Sequence, residues 1–257
     1  MANSGKDIPY HFHAGAQAFS AHFVRPADVP VAAQAATFLP STGGFAHSRV
    51  ENFIVSRLAA FKVGESHVAG SWEQYNVVTT AATSTLEGLN VLDFLTAGKI
   101  VSRLSARYEE DGNEKKSKRG VNRESHIIAL GSHFENLRLG GFEVKVTLRH
   151  DLLVKSQNFA ELKDNLKNDK KAKVADGVAL CSLVEDIEVD PGLKNLPGFK
   201  QEGHVLTVPH FGEVALAEII ASPGSVTLTM LRFQLGSPDG GSGSGGQTHT
   251  NGLPPPP

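Results

Sequence analysis

"EVALAEIIASPGSVTLTMLRFQL", residues 213–235, decides the fold class, because it places two β-rich runs on either side of a turn. The runs at 213–221 and 225–235 are separated by Ser-Pro-Gly, and Pro-Gly favours a tight reversal of the chain. The pattern predicts a hairpin whose second strand is central in a sandwich or a stacked layer, because both of its sides carry apolar residues. One side has Val226, Leu228 and Met230, and the other has Thr227, Thr229, Leu231 and Phe233.

Most of the chain between its two ends also alternates with a period of two, as strands do. "FEVKVTLRHDLLV", residues 142–154, places Phe142, Val144, Val146 and Leu148 on one face of a predicted strand. One segment is helical instead: "QNFAELKDNLKNDKKA", residues 157–172, has Phe159, Leu162 and Leu166 at helical spacing after Ser156, a candidate N-cap. The predicted fold class is therefore mainly β, with one inserted α-helix.

Four stretches share a pattern of Ser, apolar, Glu, a small or polar residue and two further apolar positions. They are "SRVENFIVSR" from Ser48, "STLEGLNVLD" from Ser84, "SHFENLRLGG" from Ser132 and "SLVEDIEVDP" from Ser182. Four such copies indicate a repeat-built domain, which would be a sandwich or a solenoid-like stack.

Within each copy the apolar side chains fall two, five and seven places after the serine, whereas an undisturbed strand would show two, four and six. The step of three predicts a strand, a kink and a second strand, since Asn, Gly and Asp tolerate the backbone angles of a corner. The twelve positions are Val50, Phe53, Val55, Leu86, Leu89, Val91, Phe134, Leu137, Leu139, Val184, Ile187 and Val189.

A glutamate precedes each predicted kink: Glu51, Glu87, Glu135 and Glu185. The favoured interpretation is structural, with each carboxylate accepting hydrogen bonds from backbone N–H groups that the kink frees, because catalysis needs different residues in different roles. Two alternatives remain, a ladder of carboxylates that binds cations and an acid/base pair.

Eleven histidines are many for a chain of 257 residues. The metal candidates are His11 and His13 in "HFHAG", because an H-x-H pair on a strand directs both imidazoles to one face. The pair needs a third ligand from elsewhere in the chain. His133, in the variable second place of the third copy, is interpreted as a residue without a role in the repeat rather than as a metal ligand. No other cofactor is predicted, and the catalytic residues are unknown.

The formal net charge of −2 and the pI near 6.6 give no attraction toward nucleic acid, so none is expected as a partner. The single cysteine, Cys181, excludes an intrachain disulfide framework and is expected to be buried and inert. No run of apolar residues is long enough for a membrane span. The N-terminus lacks the pattern of a secretory signal, so the chain as written is expected to be soluble and cytoplasmic, or extracellular if a leader was removed.

Both ends have the composition of tails. Residues 1–9 are expected to be flexible, and residues 236–257, rich in Gly and Ser before four prolines, are expected to form a disordered tail. The charged stretch 108–124 is expected to be an exposed hairpin loop. These assignments leave residues 10–235 as one β-rich domain.

Three segments together resemble the choice-of-anchor type domains of bacterial exported proteins. They are "ATSTLEGLNVLDFLTAGKIVSRLSA" (82–106), "GSHFENLRLGGFEVKV" (131–146) and "VPHFGEVALAEIIASPGSVTLTMLRFQL" (208–235). The resemblance implies a cell-surface or extracellular module and carries over no catalytic residue.

These observations favour a non-enzymatic structural or binding module of repeated β units, surface-associated or self-assembling. Its expected partners are a protein or a surface polymer, and a homo-oligomer is expected through sheet edges or apolar faces. The alternative is a metal-dependent or carboxylate-based enzyme that acts on a polymer or a small molecule, using His11 and His13 or two of the repeated glutamates.

Overall fold

The computed structural model describes residues 10–25, 27–73, 77–109, 124–169, 171–236 and 240–251. Two antiparallel sheets pack face to face, which confirms the mainly β prediction in its sandwich form. Among the described residues no helix is long and apolar enough to cross a membrane.

The elements follow one another along the chain in this order. They are β1 (Ala14–Arg25), β2 (Val29–Gln34), β3 (Thr37–Phe38), β4 (Gly44–Val55), β5 (Ala59–Trp72), β6 (Val77–Val91), β7 (Leu95–Glu109), β8 (His126–Ile128), β9 (His133–Glu135), β10 (Arg138–Leu139), β11 (Phe142–Leu148), α1 (Asp151–Val154), α2 (Phe159–Leu166), β12 (Lys173–Ala175), β13 (Val178–Ser182), β14 (Val184–Val189), α3 (Pro191–Lys194), β15 (Lys200–Glu202), β16 (Val205–Val208), β17 (Gly212–Ser222), β18 (Ser225–Leu235) and β19 (Gly240–Asn251).

The ten-stranded sheet has the order β12-β13-β17-β18-β19-β1-β2, with β3, β15 and β16 paired beside it. The nine-stranded sheet has the order β14-β11-β10-β7-β6-β5-β4, and β8 and β9 also pair with β7. One large apolar cluster draws residues from both sheets, and a smaller one gathers around Tyr10, Phe12 and Val68.

The predicted hairpin at 213–235 is confirmed as β17 and β18. The interpretation of its two faces is wrong in one respect, because Leu231 and Phe233 are buried like Met230 and do not face the other way. The burial pattern of β18 changes phase at Met230–Leu231. Next to this point Ala217 and Gly246 of the neighbouring strands have positive φ values, so the whole sheet bends there.

The kinks predicted from the four copies are present in the first three. Asn52, Gly88 and Asn136, each directly after a glutamate, have φ values of 52°, 66° and 51°. The fourth copy differs, because the pairing of β11 with β14 shifts register around Glu185. All twelve predicted apolar positions belong to the main core cluster or pack against it. The spacing of three between apolar residues in the sequence therefore indicates a bend in the strand.

The four copies do not fold into four equivalent units. The first two lie in the long strands β4 and β6, whereas the third falls on the short strands β9 and β10. The fourth passes from β13 in the ten-stranded sheet to β14 in the nine-stranded sheet. The spacing that the four copies share thus reflects strands that bend and bury one face. The described residues form a sandwich of two sheets and not a solenoid-like stack.

The predicted helix is present as α2, but it is shorter than residues 157–172. Its N-cap is Asn158, whose side chain accepts a hydrogen bond from the backbone N–H of Glu161, so the assignment of Ser156 as N-cap is wrong. The Ser156 hydroxyl donates instead to the Leu152 carbonyl, which ends α1. Both α1 and α3 are single turns, and α1 occupies the last residues of the strand predicted at 142–154.

The C-terminal segment corrects the predicted tail, because residues 240–251 form β19 between β1 and β18. Its small residues let neighbouring side chains fill the space: a Cβ on Gly243 would lie 2.4 Å from the Phe233 ring. Thr248 and Thr250 are fully buried. A composition typical of linkers here serves close packing, and the domain extends beyond residue 235. Residues 1–9, residues 110–123 of the charged loop and residues 252–257 lie outside the described residues.

Candidate functional site

The outer face of the nine-stranded sheet, which points away from the ten-stranded sheet, carries the candidate site. Cross-strand pairing places its residues in rows that run from β4 toward β8. One row is Phe45, Ala69, Ala81, Ser105 and Ile128, and the next is Ser71, Thr79, Arg107 and His126. The row on the other side is His47, His67, Thr83 and Arg103.

A groove of about 510 Å³ lies over the rows of small residues, a volume typical of ligand sites. Its floor includes Ala69, Ala81 and Ser105, whose short side chains leave the outer face of the sheet concave. Leu130 and Val154 line one side of the groove, although 50% and 40% of their surfaces are exposed. We call this feature the outer-face groove.

The C-terminal end of α1, at Val154, helps to form the apolar side of the outer-face groove. His126 of β8 lies with Nε2 3.2 Å from the carbonyl oxygen of Val154, which ties α1 to the sheet. At the opposite end of the same row, the Phe45 ring on β4 is 64% exposed. The groove therefore has lining residues from five strands, β4 to β8, with an apolar wall on one side and hydroxyl groups along it, and the Phe45 ring lies beside it rather than in its lining.

Next to the groove, His47, Glu65 and His67 form an imidazole–carboxylate cluster. His47 and His67 are paired residues of β4 and β5, and their rings stack with centroids 4.3 Å apart. Both Nε2 atoms approach the same oxygen, Glu65 Oε1, at 3.0 Å and 2.8 Å. Among the residues that the structure describes, these form the one group of three with metal-ligating atoms gathered within 4.8 Å.

Glu65 is ionised in this setting. Partial burial would raise the pKa of its carboxyl group, but hydrogen bonds from His67 and His47 outweigh that effect and hold the pKa below its usual value. Arg49 adds a further positive charge, with Nη1 3.3 Å from Glu65 Oε2. Each oxygen of the carboxylate thus has its own partners, Oε1 the two imidazoles and Oε2 the guanidinium.

Three of the four corner glutamates stand in one cross-strand row of the outer face. The row is Glu51, Val63, Glu87, Lys99 and Glu135. Each of the three has a basic side chain as partner: Arg49 contacts Glu51 at 2.6 Å, Lys99 contacts Glu87 at 3.0 Å and His133 contacts Glu135 at 3.1 Å.

These partners differ from the backbone N–H groups expected from the sequence, although the glutamates do sit beside the kinks. Glu185 lies apart from the row and is exposed. The structural role of the four glutamates stays a prediction.

His11 and His13 are exposed side chains of the segment before β1, between the buried Tyr10 and Phe12. They face the same way, as an H-x-H pair should, and the His13 ring lies 4.9 Å from the ring of His249. Burial lowers the pKa of His249, and the nearby His13 adds to that shift. The metal-binding role of His11 and His13 stays a prediction.

Cys181 is fully buried, and burial raises the pKa of its thiol to about 12. This confirms the expected burial of the thiol, and its lack of reactivity stays a prediction.

A second ionic group lies on the ten-stranded sheet around Glu218. Arg232 contacts both carboxylate oxygens at 2.6 Å and 2.9 Å, and His204 Nε2 lies 3.3 Å from one of them. Burial alone would raise the pKa of Glu218, but these partners lower it to about 2. The bidentate geometry is typical of a stabilising ion pair.

The chain belongs to the family described as Domain of unknown function (DUF8256), whose model matches residues 10–175. That range includes the outer-face groove and the imidazole–carboxylate cluster. No curated protein and no solved structure matches the chain. These findings do not test the resemblance to choice-of-anchor type domains, which stays a prediction.

Proposed function

We propose that this member of the family is a non-enzymatic binding module that holds a polysaccharide chain in the outer-face groove. The observation that carries the proposal is the groove itself, a long concavity with short side chains on its floor. At about 4.8 Å between strands, five strands span roughly 19 Å, enough for several consecutive sugar units.

The chemistry of the lining suits sugars. The hydroxyl groups of Ser71, Thr79 and Ser105 can donate and accept hydrogen bonds, as sugar hydroxyls require. The methyl groups of Ala69 and Ala81 offer apolar contacts to the C–H faces of a sugar ring. The exposed ring of Phe45, at one end of the same row but outside the lining of the groove, offers a flat aromatic surface next to it.

Arg107 lies in the row that ends at His126, and its side chain is exposed. A guanidinium group there favours sugars that carry carboxylates, because such pairs are charge-assisted and often bidentate. Acidic polysaccharides should therefore bind more tightly than neutral ones of similar length.

A binding module is favoured over a carboxylate-based enzyme. The corner glutamates in the outer-face row each contact a basic side chain, Arg49, Lys99 or His133, and none of the three glutamates lines the outer-face groove. A hydrolase of that kind needs two carboxyl groups that flank the bound sugar. The row suits a charged surface better than an acid/base pair.

Affinity electrophoresis in gels that contain xylan, mixed-linkage β-glucan or polygalacturonate tests the proposal. We expect retardation of the protein, greatest with polygalacturonate. Ala81→Trp should abolish the retardation because an indole would fill the floor of the groove.

The matched control is Thr147→Trp, which places the same ring on an exposed position of β11 in the same sheet, outside the groove. It should leave the retardation unchanged. No retardation by any of the three polysaccharides, or equal effects of the two tryptophans, would contradict the proposal.

We also propose that two copies associate through β4. In the described part of the chain β4 pairs with β5 alone, so its other edge of twelve residues offers backbone N–H and C=O groups. Antiparallel pairing of two copies about Val50 would place Arg49 of each copy opposite Glu51 of the other. Charge complementarity of this kind fixes register in a symmetric interface.

Sedimentation velocity over a range of protein concentrations tests this association. Arg49→Glu should shift the protein toward monomer because two like charges would face each other. The double change Arg49→Glu with Glu51→Arg should restore the dimer. A monomer at all concentrations, or a dimer that survives Arg49→Glu, would refute pairing about Val50.

A further inference from the structure

We infer that the imidazole–carboxylate cluster of His47, Glu65 and His67 is a binding site for a divalent transition-metal ion such as Zn²⁺. Two imidazole nitrogens and one carboxylate oxygen are a ligand set that Zn²⁺ commonly takes in proteins. His47 and His67 are paired across β4 and β5, and Glu65 lies two residues before His67 on β5, so the sheet fixes their relative places before any ion arrives.

Two of the three distances between the ligand atoms lie near the edges of a tetrahedral site, and all three atoms lie within 4.8 Å of one another. With metal–ligand bonds of about 2.0–2.1 Å, the edges of a tetrahedron measure about 3.3–3.4 Å. The two edges that join Glu65 Oε1 to the imidazole nitrogens are now 3.0 Å and 2.8 Å. A widening of a few tenths of an ångström, within the reach of side-chain rotation, would admit the ion.

The orientation of the imidazoles supports the same conclusion. Both rings present Nε2, the atom used for coordination, to one oxygen from two different strands. Glu135, by comparison, has a single imidazole partner, His133. A second stacked imidazole on the same oxygen makes a converging set of three ligand atoms.

Arg49 acts as a positioning residue for this site. Its guanidinium holds Glu65 Oε2, which leaves Oε1 as the single oxygen turned to the two histidines. Outer partners of this kind fix the orientation of a ligating carboxylate. Glu65 would therefore bind the ion through one oxygen.

Three protein ligands leave the fourth position of the ion open. The side chains are 36%, 25% and 43% exposed, so water can reach the site from the outer face. His67 lies two residues before Ala69 on β5, about 7 Å from the floor of the outer-face groove. The open position is thus accessible to small ligands, and the ion should exchange readily. This site does not depend on the groove binding any polymer.

Isothermal titration of the full chain with Zn²⁺ at pH 7.5, after removal of metals by a chelator, tests the inference. We expect one equivalent of Zn²⁺ to bind. Removal of a residue that holds a metal ligand in place, without itself touching the metal, lowers the metal affinity ~10–100-fold. His47→Ala and His67→Ala remove direct ligands, so each should lower the affinity for Zn²⁺ by at least about 100-fold. Co²⁺ should give the visible absorption bands of a four-coordinate complex, and these should vanish in Glu65→Gln.

The matched control is His133→Ala, which removes an exposed histidine of the same sheet that also contacts a glutamate. It should bind Zn²⁺ like the unchanged protein. The double variant His11→Ala, His13→Ala should also retain the site, which separates it from the pair indicated by the sequence. Circular dichroism confirms that each variant is folded.

Two results would overturn the inference. One is the absence of saturable Zn²⁺ binding by the folded protein. The other is a stoichiometric site that survives the double variant His47→Ala, His67→Ala or is lost in His11→Ala, His13→Ala. Because Zn²⁺ alone is the probe, either result leaves the polysaccharide proposal standing or falling on its own test.

Discussion

Gly243→Ala should destabilise the protein, although the residue lies in a segment whose composition is typical of a flexible linker. A Cβ at this position would lie 2.4 Å and 2.7 Å from two ring atoms of Phe233 and 2.9 Å from the Cβ of Ala21. Phe233 cannot move away easily, because it is fully buried and packs against the rings of Phe19, Phe23 and Phe211.

The magnitude follows from two opposed effects. Overpacking of a well-filled core costs ~1–3 kcal/mol. Replacing glycine by alanine in a strand recovers roughly 0.5–1 kcal/mol, since glycine loses more freedom on folding. The free energy of unfolding should therefore fall by about 1 kcal/mol, the difference between the middles of the two ranges, and by no more than about 2.5 kcal/mol. At ~2–4 °C per kcal/mol for a domain of this size, the central value lowers Tm by about 2–4 °C.

Thermal and urea unfolding, followed by circular dichroism, measure this change. Gly240→Ala is the matched control, because it lies in the same strand and its Cβ would meet its nearest atom at 3.7 Å, an ordinary contact. It should be neutral or slightly stabilising. If both variants were equally neutral, β19 would not be packed between β1 and β18, and the expectation of a disordered tail would be right.

Three further changes have defined outcomes. Glu218→Gln should lower the free energy of unfolding by about 2 kcal/mol at pH 7, as measured by urea unfolding. Folding lowers the pKa of this carboxyl group from 4.5 to about 2. The stability that the carboxylate contributes is therefore present above pH 4.5 and is lost as the pH falls toward 2. A pH-independent cost would refute the role of the Arg232 ion pair. Thr248→Val should cost ~1–3 kcal/mol by leaving the buried Ser102 hydroxyl, now 2.7 Å from Thr248, unpaired. Adding Ser102→Ala should cost little more, whereas simple additivity would argue against the bond. Cys181 should react with a thiol reagent only after unfolding, and rapid labelling of the native protein would contradict its burial.

Much of the fold was predictable because the burial of one face of each strand gives the apolar residues a regular spacing in the sequence. The hairpin of β17 and β18 follows from alternation around Pro-Gly, and the step of three from Val50 to Phe53 predicts the bend at Asn52. Alternation reports which side chains are buried, and a positive φ at a small or amide residue shifts that pattern by one place. These are local signals, so a single sequence contains them.

β19 was not predictable for a physical reason. Glycine and serine are common in linkers, but they also fit where the side chains of Phe233 and Leu86 pack directly against the backbone of β19. The composition is the same in both cases, and only the neighbours distinguish them. Leu86 lies in β6, far away in sequence, whereas Phe233 lies in β18, the strand directly before β19.

The candidate site was missed for a similar reason. His47 and His67 are twenty residues apart and become partners only through the register of β4 and β5. A signal was present in "HSRVE" and "ESH", which place His and Glu at alternate positions of two consecutive strands. The H-x-H pair of His11 and His13 is more conspicuous in the sequence because its two histidines are separated by a single residue.

The central claim, that the outer-face groove is a binding surface, is tested most directly by mapping backbone amide shifts in NMR spectra during titration with short oligogalacturonates. The account predicts saturable shifts concentrated at Ala69, Ala81 and Ser105 and at their neighbours on β5, β6 and β7. The amides of β12, β13 and β17 in the ten-stranded sheet should not move. Saturable shifts centred on that other sheet, or no shift in the groove at saturating ligand, would contradict the account.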